Sequence, residues 1–278
     1  MRIVDLLKRA QSLCTNEEDK HALFWLLLEL LEYNNSDYLL NQNNLIDNTF
    51  TSNYLELVNS YLVDKIPVQQ LVGHSYFYGN KFIVSKDTLI PRPETEELVF
   101  KTINYLRTRY SDLSKLKILD LATGSGCIGI TLQKELGCDL TISDISLEAL
   151  EIAKQNIKLH NVNVKVIHSS WFENITDRFD LIISNPPYIP LSDKLEEKVL
   201  KEPLDALFSG LDGLDSYELI LSSIKERLNV GSMIAFEHGI NQNEKLANLI
   251  NVNLTNIEVK QEKDLSGKDR FTFIFLSE

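Results

Sequence analysis

A glycine-rich turn between an apolar run and a helical pattern constrains this chain more than any other feature. Ile118-Leu119-Asp120-Leu121-Ala122-Thr123-Gly124-Ser125-Gly126-Cys127-Ile128-Gly129 reads as a strand, a tight loop and the start of a helix. Glycines there let the backbone turn sharply and approach a ligand with no Cβ in the way. Gly124, Gly126 and Gly129 follow the G-x-G-x-x-G spacing, and Asp144 closes the next apolar run twenty positions after Gly124. A carboxylate so placed can accept hydrogen bonds from ribose hydroxyls. The spacing suits a nicotinamide dinucleotide as well as any other ribose-bearing ligand. Asp120 tips the balance: a carboxylate just ahead of the loop would repel a pyrophosphate, whereas it would suit the ammonium group of a methionine moiety. The loop therefore favours S-adenosylmethionine, with a dinucleotide as the competing ligand.

The surrounding pattern sets the fold class. Strand and helix signals alternate: strands at 117–121, 140–143, 164–167, 180–184 and 233–237, with helices from about Cys127, at 147–160, at 216–228 and at 243–249. Such alternation predicts an α/β, Rossmann-like domain with a mostly parallel sheet covered on both faces. Two closing strands around Ile257 and Phe273 bring the sheet to seven, and with no helix between them one should run antiparallel. The domain is expected over 87–278. Residues 74–86 hold a hairpin signal, Ser75 to Tyr78, Gly79-Asn80 and Lys81 to Val84, expected to link two domains.

Residues 1–73 are helical in pattern and read as a small bundle. Thr15 and Glu18 have capping-box spacing, and Leu23, Leu26, Leu27, Leu30 and Leu31 form an apolar stripe after them. Tyr54, Leu55, Val58, Tyr61 and Leu62 form a second one, and the Asn-rich stretch 34–48 reads as connection and turns. Nothing in the bundle carries catalytic chemistry, so a role in docking a protein substrate is expected for it.

Charge and cysteine content narrow the partners. Twenty-eight basic against forty acidic side chains leave a formal charge of −12, which argues against a stable nucleic-acid complex. Cys14, Cys127 and Cys138 are odd in number and lack metal-ligand spacing, so free thiols in a reducing compartment are expected and no metal. The apolar run from Ala22 stops at Glu29, well short of the roughly 20 residues of a membrane span. A cytoplasmic protein with no membrane association is expected.

A second loop carries the chemistry. Leu181-Ile182-Ile183-Ser184-Asn185-Pro186-Pro187-Tyr188 runs an apolar strand into a stiff polar turn at the carboxyl edge of the sheet, where open parallel sheets bind ligands. Prolines fix φ and donate no hydrogen bond. An amide or aromatic amino nitrogen has two N–H donors and a delocalised lone pair that must turn toward the methyl group it attacks. The Asn185 side-chain oxygen and the Pro186 carbonyl could each accept one N–H, with Tyr188 as a flat stacking face. Asn185, Pro186 and Tyr188 are thus the expected catalytic group, and Pro187 with them binds substrate.

With these two loops the chain resembles the protein-(glutamine-N5) methyltransferases of class-1 peptide chain release factors, the HemK/PrmC family. The resemblance also rests on Pro67-Val68-Gln69, Gly73 with Phe77 and Tyr78, Leu89 to Glu96, Trp171-Phe172, Glu202-Pro203 with Ala206-Leu207, Glu237-His238-Gly239, and Asp264 with Gly267 and Arg270. It implies methyl transfer from S-adenosylmethionine to the glutamine of a Gly-Gly-Gln motif. The Asn-Pro-Pro-Tyr loop is shared with adenine-N6 methyltransferases acting on nucleic acid, the alternative activity. The family's pattern places Ala122, Thr123, Gly124, Ser125 and Gly126 around the methionine part, Asp144 on the ribose, Trp171 beside the adenine, and Asn185 to Tyr188 on the target glutamine. Ala122 stands where relatives often have glycine, at little cost if its φ is negative. Ser170 stands where many have an acid, which puts an adenine contact there in doubt. Arg92 reads either as part of a helix start, with Pro93 at the first position ahead of Glu94 and Glu96, or as a residue shaping the substrate pocket. His238 reads as a turn residue rather than a base.

Overall fold

The computed structural model describes residues 1–277, and the chain divides into two units. The first comprises residues 1–74 together with 195–201, and the second holds 75–194 and the chain from Glu202 onward.

The first unit is built from α1 (Ile3–Gln11), α2 (Glu17–Leu31), α3 (Asn35–Asn41), α4 (Asn48–Leu62) and α5 (Val68–Val72). Leu6, Ala10, Leu23, Leu26, Leu27, Tyr54 and Val58 form its buried centre. The α2 cap differs from the one expected at Thr15: Asn16 is the cap, and its side chain accepts from the Asp19 backbone N–H at 2.7 Å. The helix starts one residue late for Thr15, so Asp19 rather than Glu18 occupies the third helical position, where such a pairing closes. The Asn-rich stretch is not merely connection, since it contains α3. Asn34 and Asp37 form a reciprocal capping box there, because asparagine competes well for the unpaired amides at a helix start. The segment 195–201, which carried no bundle signal, joins this unit through Lys198. Its ammonium lies 2.6 Å from Asp19 Oδ1 and 2.7 Å from the Tyr61 hydroxyl.

A hairpin, β1 (His74–Phe77) and β2 (Asn80–Ile83), leads into the second unit from Ser75 onward, and its Phe77 and Phe82 are buried in that unit's core. There follow α6 (Pro93–Arg109), β3 (Lys117–Leu121), α7 (Cys127–Leu136), β4 (Asp139–Asp144), α8 (Leu147–His160), β5 (Val164–His168) and β6 (Phe179–Ser184). The unit closes with α9 (Asp215–Ile224), β7 (Leu228–Glu237), α10 (Asn243–Asn253), β8 (Ile257–Lys263) and β9 (Asp269–Leu276). The seven-stranded sheet has the order β5-β4-β3-β6-β7-β9-β8, parallel except for β9, which runs antiparallel to both neighbours. The sheet is buried on both faces, so its central strands are apolar on both sides. Ile118, Leu181, Ile183, Met233 and Ala235 pack on one face, and Leu119, Leu121, Ile182, Ile234 and Phe236 on the other.

β7 begins at Leu228, five residues before the expected start, because a bulge opposite Phe179–Leu181 carries the pairing past the irregular stretch. The chain order reverses between β3 and β6, and a ligand crevice belongs at the carboxyl ends of the strands beside that switch point. Both singled-out loops emerge there.

Candidate active site

The loop after β3 holds its shape through backbone geometry and one buried carboxylate. Gly126 caps α7 with φ of 83°, and a Cβ there would come within 3.0 Å of Ile130 Cδ1. Ala122 lies at φ 58° rather than at a negative φ. The low cost expected at that position is therefore corrected, since a left-handed alanine is strained by roughly 1–2 kcal/mol.

Asp120 is fully buried beneath the loop and does not line the cavity. Its Oδ2 accepts the Thr123 hydroxyl at 2.5 Å and the Gly129 N–H at 2.9 Å, while Oδ1 has no partner among the described residues. Burial pushes this carboxyl up to about 6. Asp120, expected from its position ahead of the loop to face a ligand, thus braces the turn from behind and stands off the cavity lining.

In front of the loop a cavity of about 530 Å³ opens between the ends of β3, β4 and β6, well within the roughly 300–1,000 Å³ of small-molecule sites. Ala122, Thr123, Gly124, Ser125, Asp144, Trp171, Arg92, Asn185 and Pro187 line it. Asp144 is tied to the loop, its Oδ2 accepting the Gly124 N–H at 2.8 Å and its Oδ1 the Ser146 N–H at 2.9 Å. Each oxygen keeps a further lone pair for a ligand hydroxyl. Burial raises the Asp144 carboxyl, and the backbone N–H bonds oppose that rise. Over Gly124 there is open space, with no atom within 4 Å of a Cβ built there. A carboxylate at the end of β4, an open glycine and the flanking Trp171 fit a ribose-bearing ligand with an aromatic base. Ser169 lines the cavity and Ser170 does not, consistent with no ligand contact at Ser170. Gly126 shapes the turn without reaching the wall.

The loop after β6 is held from several sides. The Ser184 hydroxyl donates to the Leu121 carbonyl at 2.6 Å, tying the two strand ends together. Asn185 lines the cavity, and its Nδ2 donates to the Thr95 hydroxyl at 3.2 Å. The next link is the Thr95 hydroxyl donating to Glu237 Oε2 at 2.8 Å. Pro186 is buried and does not line the cavity. Tyr188, expected as a stacking face, is not in the cavity lining and packs partly buried against the core that holds Leu121, Ile182 and Phe236. Its hydroxyl lies 3.3 Å from Glu237 Oε1, and its carbonyl accepts from Gln242 Nε2 at 2.9 Å. Of the expected catalytic trio, Asn185 alone presents its side chain to the cavity.

At the rim, Arg92 pairs with Glu202, a nearly inaccessible carboxylate whose other oxygen accepts the Ile90 N–H at 2.8 Å. Arg92 precedes Pro93 at the start of α6 and also lines the cavity. His238 is buried, bonds to the Gly239 carbonyl through Nδ1 and does not line the cavity. Thr95, Glu202 and Glu237 carried no expected role. Their only signal in the sequence was their place in family-like segments, because each acts across more than 100 residues of chain or, for Thr95 and Asn185, across 90.

A family profile described as "Methyltransferase small domain" matches residues 103–210. The release factor glutamine methyltransferase of Bacillus anthracis is 35% identical over 98% of this chain and 99% of its own. That of Francisella tularensis subsp. tularensis is 36% identical over 91% of this chain and 89% of its own. Among solved structures, the ribosomal protein L11 methylase of Lactobacillus delbrueckii subsp. bulgaricus superposes with a TM-score of 0.51 at 18% identity, covering 67% of this chain and 81% of that one. This last likeness concerns the fold alone. Identity of 35–36% over nine-tenths or more of the chain places it in the release factor glutamine methyltransferase family.

Proposed function

We infer that this protein transfers a methyl group from S-adenosylmethionine to the side-chain amide nitrogen of a release-factor glutamine. Family membership supports the activity, and the observation that carries the site assignment is Asn185, which lines the cavity with its amide nitrogen held by the Thr95 hydroxyl. When bound, S-adenosylmethionine supplies an electrophilic methyl group on a sulfonium. The chain's own residues do the rest. Asp144 would accept from the ribose hydroxyls, Trp171 would flank the base, and the 122–126 loop would wrap the methionine part. Asn185 Oδ1 accepts one N–H of the incoming amide, turning its lone pair toward the methyl carbon. An amide nitrogen can shed its proton after it has been alkylated, so the site needs no strong base beside Asn185.

The target within class-1 release factors is the glutamine of the Gly-Gly-Gln motif, and the helical unit docks that protein in a cytoplasmic setting. Adenine-N6 methylation of nucleic acid is the second reading, favoured by the Asn-Pro-Pro-Tyr loop and opposed by the −12 charge. No helix among the described residues is long and apolar enough to cross a membrane. Labelled methyl donor offered with release factor, DNA, RNA and free glutamine in separate reactions tests the assignment. Label in the release factor alone supports it, and label in nucleic acid contradicts it.

A further inference from the structure

A chain of three polar groups from three distant parts of the sequence runs from the cavity wall, lined by Asn185 and Thr95, into the core at Glu237. Asn185 Nδ2 lies 3.2 Å from Thr95 Oγ1, and Thr95 Oγ1 lies 2.8 Å from Glu237 Oε2. Thr95 is 3% exposed and Glu237 1%, so the bond between them is shielded from water. A hydroxyl has one proton and two lone pairs, and a carboxylate only accepts. With Glu237 ionised, the Thr95 proton must go to Oε2. Thr95 is then left with lone pairs alone toward Asn185, so it accepts, and the amide must turn its NH₂ inward and its oxygen outward. The Tyr188 hydroxyl, 3.3 Å from Oε1, donates to the other oxygen and so favours the ionised carboxylate on which this direction depends.

We propose that Glu237 and Thr95 are positioning residues that set the polarity of the Asn185 amide, presenting an acceptor rather than a donor to the substrate nitrogen. This rests on the reading that Asn185 Oδ1 accepts an N–H of the target amide. An asparagine amide is nearly symmetric in shape, and a flipped Asn185 would set its own N–H groups against those of the substrate. The relay prevents that flip.

Its direction depends on charge. A protonated Glu237 can donate to Thr95, which then donates to Asn185 and stabilises the flipped amide. The groups facing Glu237 are Thr95 and Glu94 on α6, Tyr188 after β6, Arg270 on β9 and, at its backbone carbonyl, Tyr217 on α9. Burial pushes the Glu237 carboxyl up to about 7, with Thr95, Arg270 and Tyr188 opposing and Glu94 reinforcing the rise. The relay therefore reverses within an accessible pH range.

The test uses the full chain with intact release factor and labelled methyl donor, following turnover, donor affinity and the pH profile. Thr95→Val should lower kcat by about 10- to 100-fold, part of the roughly 10²–10³-fold cost of losing an oriented hydrogen-bonding group, with donor affinity within about twofold. Thr95→Ser, which keeps the hydroxyl, should restore most of the rate. The parent should lose turnover as pH falls through about 7. Glu237→Gln, whose amide can donate to Thr95 at any pH, should be slow throughout and lack that acid limb. Parental rates in both Thr95→Val and Glu237→Gln, while Asn185→Ala is inactive, would overturn the relay and leave the Asn185 reading standing. A parental rate in Asn185→Ala overturns both. Should Thr95→Val fail to bind donor, the Glu237→Gln pH profile decides: an acid limb like the parent's refutes the relay.

Discussion

The Asp144 carboxylate accepts the backbone N–H of Gly124 at 2.8 Å, so the residue expected to hold the ribose also fixes the loop expected to hold the methionine part. Hydrogen bonds to a charged acceptor contribute roughly 1.5–3 kcal/mol. Asp144→Ala should weaken S-adenosylmethionine binding by about one to two orders of magnitude, as read by calorimetry. It also leaves the Gly124 and Ser146 N–H groups without their partner, so the fold should be checked by circular dichroism. Unchanged donor affinity, or tight binding of NADH by the parent, contradicts the assignment.

Ala122 adopts φ of 58° in the loop, which makes it a point of stored strain. Glycine removes a left-handed penalty of roughly 1–2 kcal/mol but adds about 0.4–1 kcal/mol of chain entropy to the unfolded state. Ala122→Gly should therefore raise stability by about 0.5–1 kcal/mol, a Tm increase of about 1–4 °C. A lower Tm by calorimetric scan would show that the methyl group packs favourably enough to outweigh the strain.

The strand alternation, the seven strands with one antiparallel and the glycine loop were legible in the sequence because each rests on local signals. Periodicity, glycine placement and the missing helix before β9 all lie within about 30 residues of chain. The places of Asn185 and Asp144 on the cavity wall were legible for the same reason, each standing at the end of an apolar run. Thr95 and Glu237 were not, because their role arises only when α6 and β7 are brought beside the Asn-Pro-Pro-Tyr loop. Asp120 was seen but misplaced: spacing says that a carboxylate precedes the loop, not that the loop folds over it. Residues 195–201 gave no bundle signal, since Lys198 reaches Asp19 and Tyr61 across more than 130 positions.

Glu237 carries a pH-dependent cost. Its folded carboxyl stands at about 7 against an ordinary value of 4.5. The native state thus holds its proton more tightly than the unfolded chain, so this group lowers stability as pH rises from 4.5 toward 7. Above that window the cost is on the order of 3 kcal/mol. Glu237→Gln should gain stability relative to the parent between pH 5 and pH 8, as read by urea unfolding at both values. A parent–variant difference independent of pH would contradict the shift. Activity is expected to move the other way, since the ionised carboxylate orients Asn185.

A docking role for the helical unit predicts that a chain beginning at Ser75 binds S-adenosylmethionine but loses most turnover on intact release factor. Residues 195–201 lose their packing partners in that chain, so Lys198→Ala in the full chain serves as the control for their displacement. Full turnover by the shortened chain would refute docking.

The central claim is that an oriented Asn185 delivers a methyl group to a glutamine amide, and mass spectrometry of the modified release factor tests it most directly. After reaction with the parent, the tryptic peptide carrying Gly-Gly-Gln should show one added methylene, located by fragmentation on the glutamine side chain. Asn185→Ala should reduce its rate of appearance by about 10²–10³-fold, with donor affinity changing far less. Asn185→Asp should be impaired too, because its charge stabilises the ground-state sulfonium more than the transition state. A methylated glutamine formed by Asn185→Ala at the parental rate, or an unmodified peptide with the parent, would contradict the account.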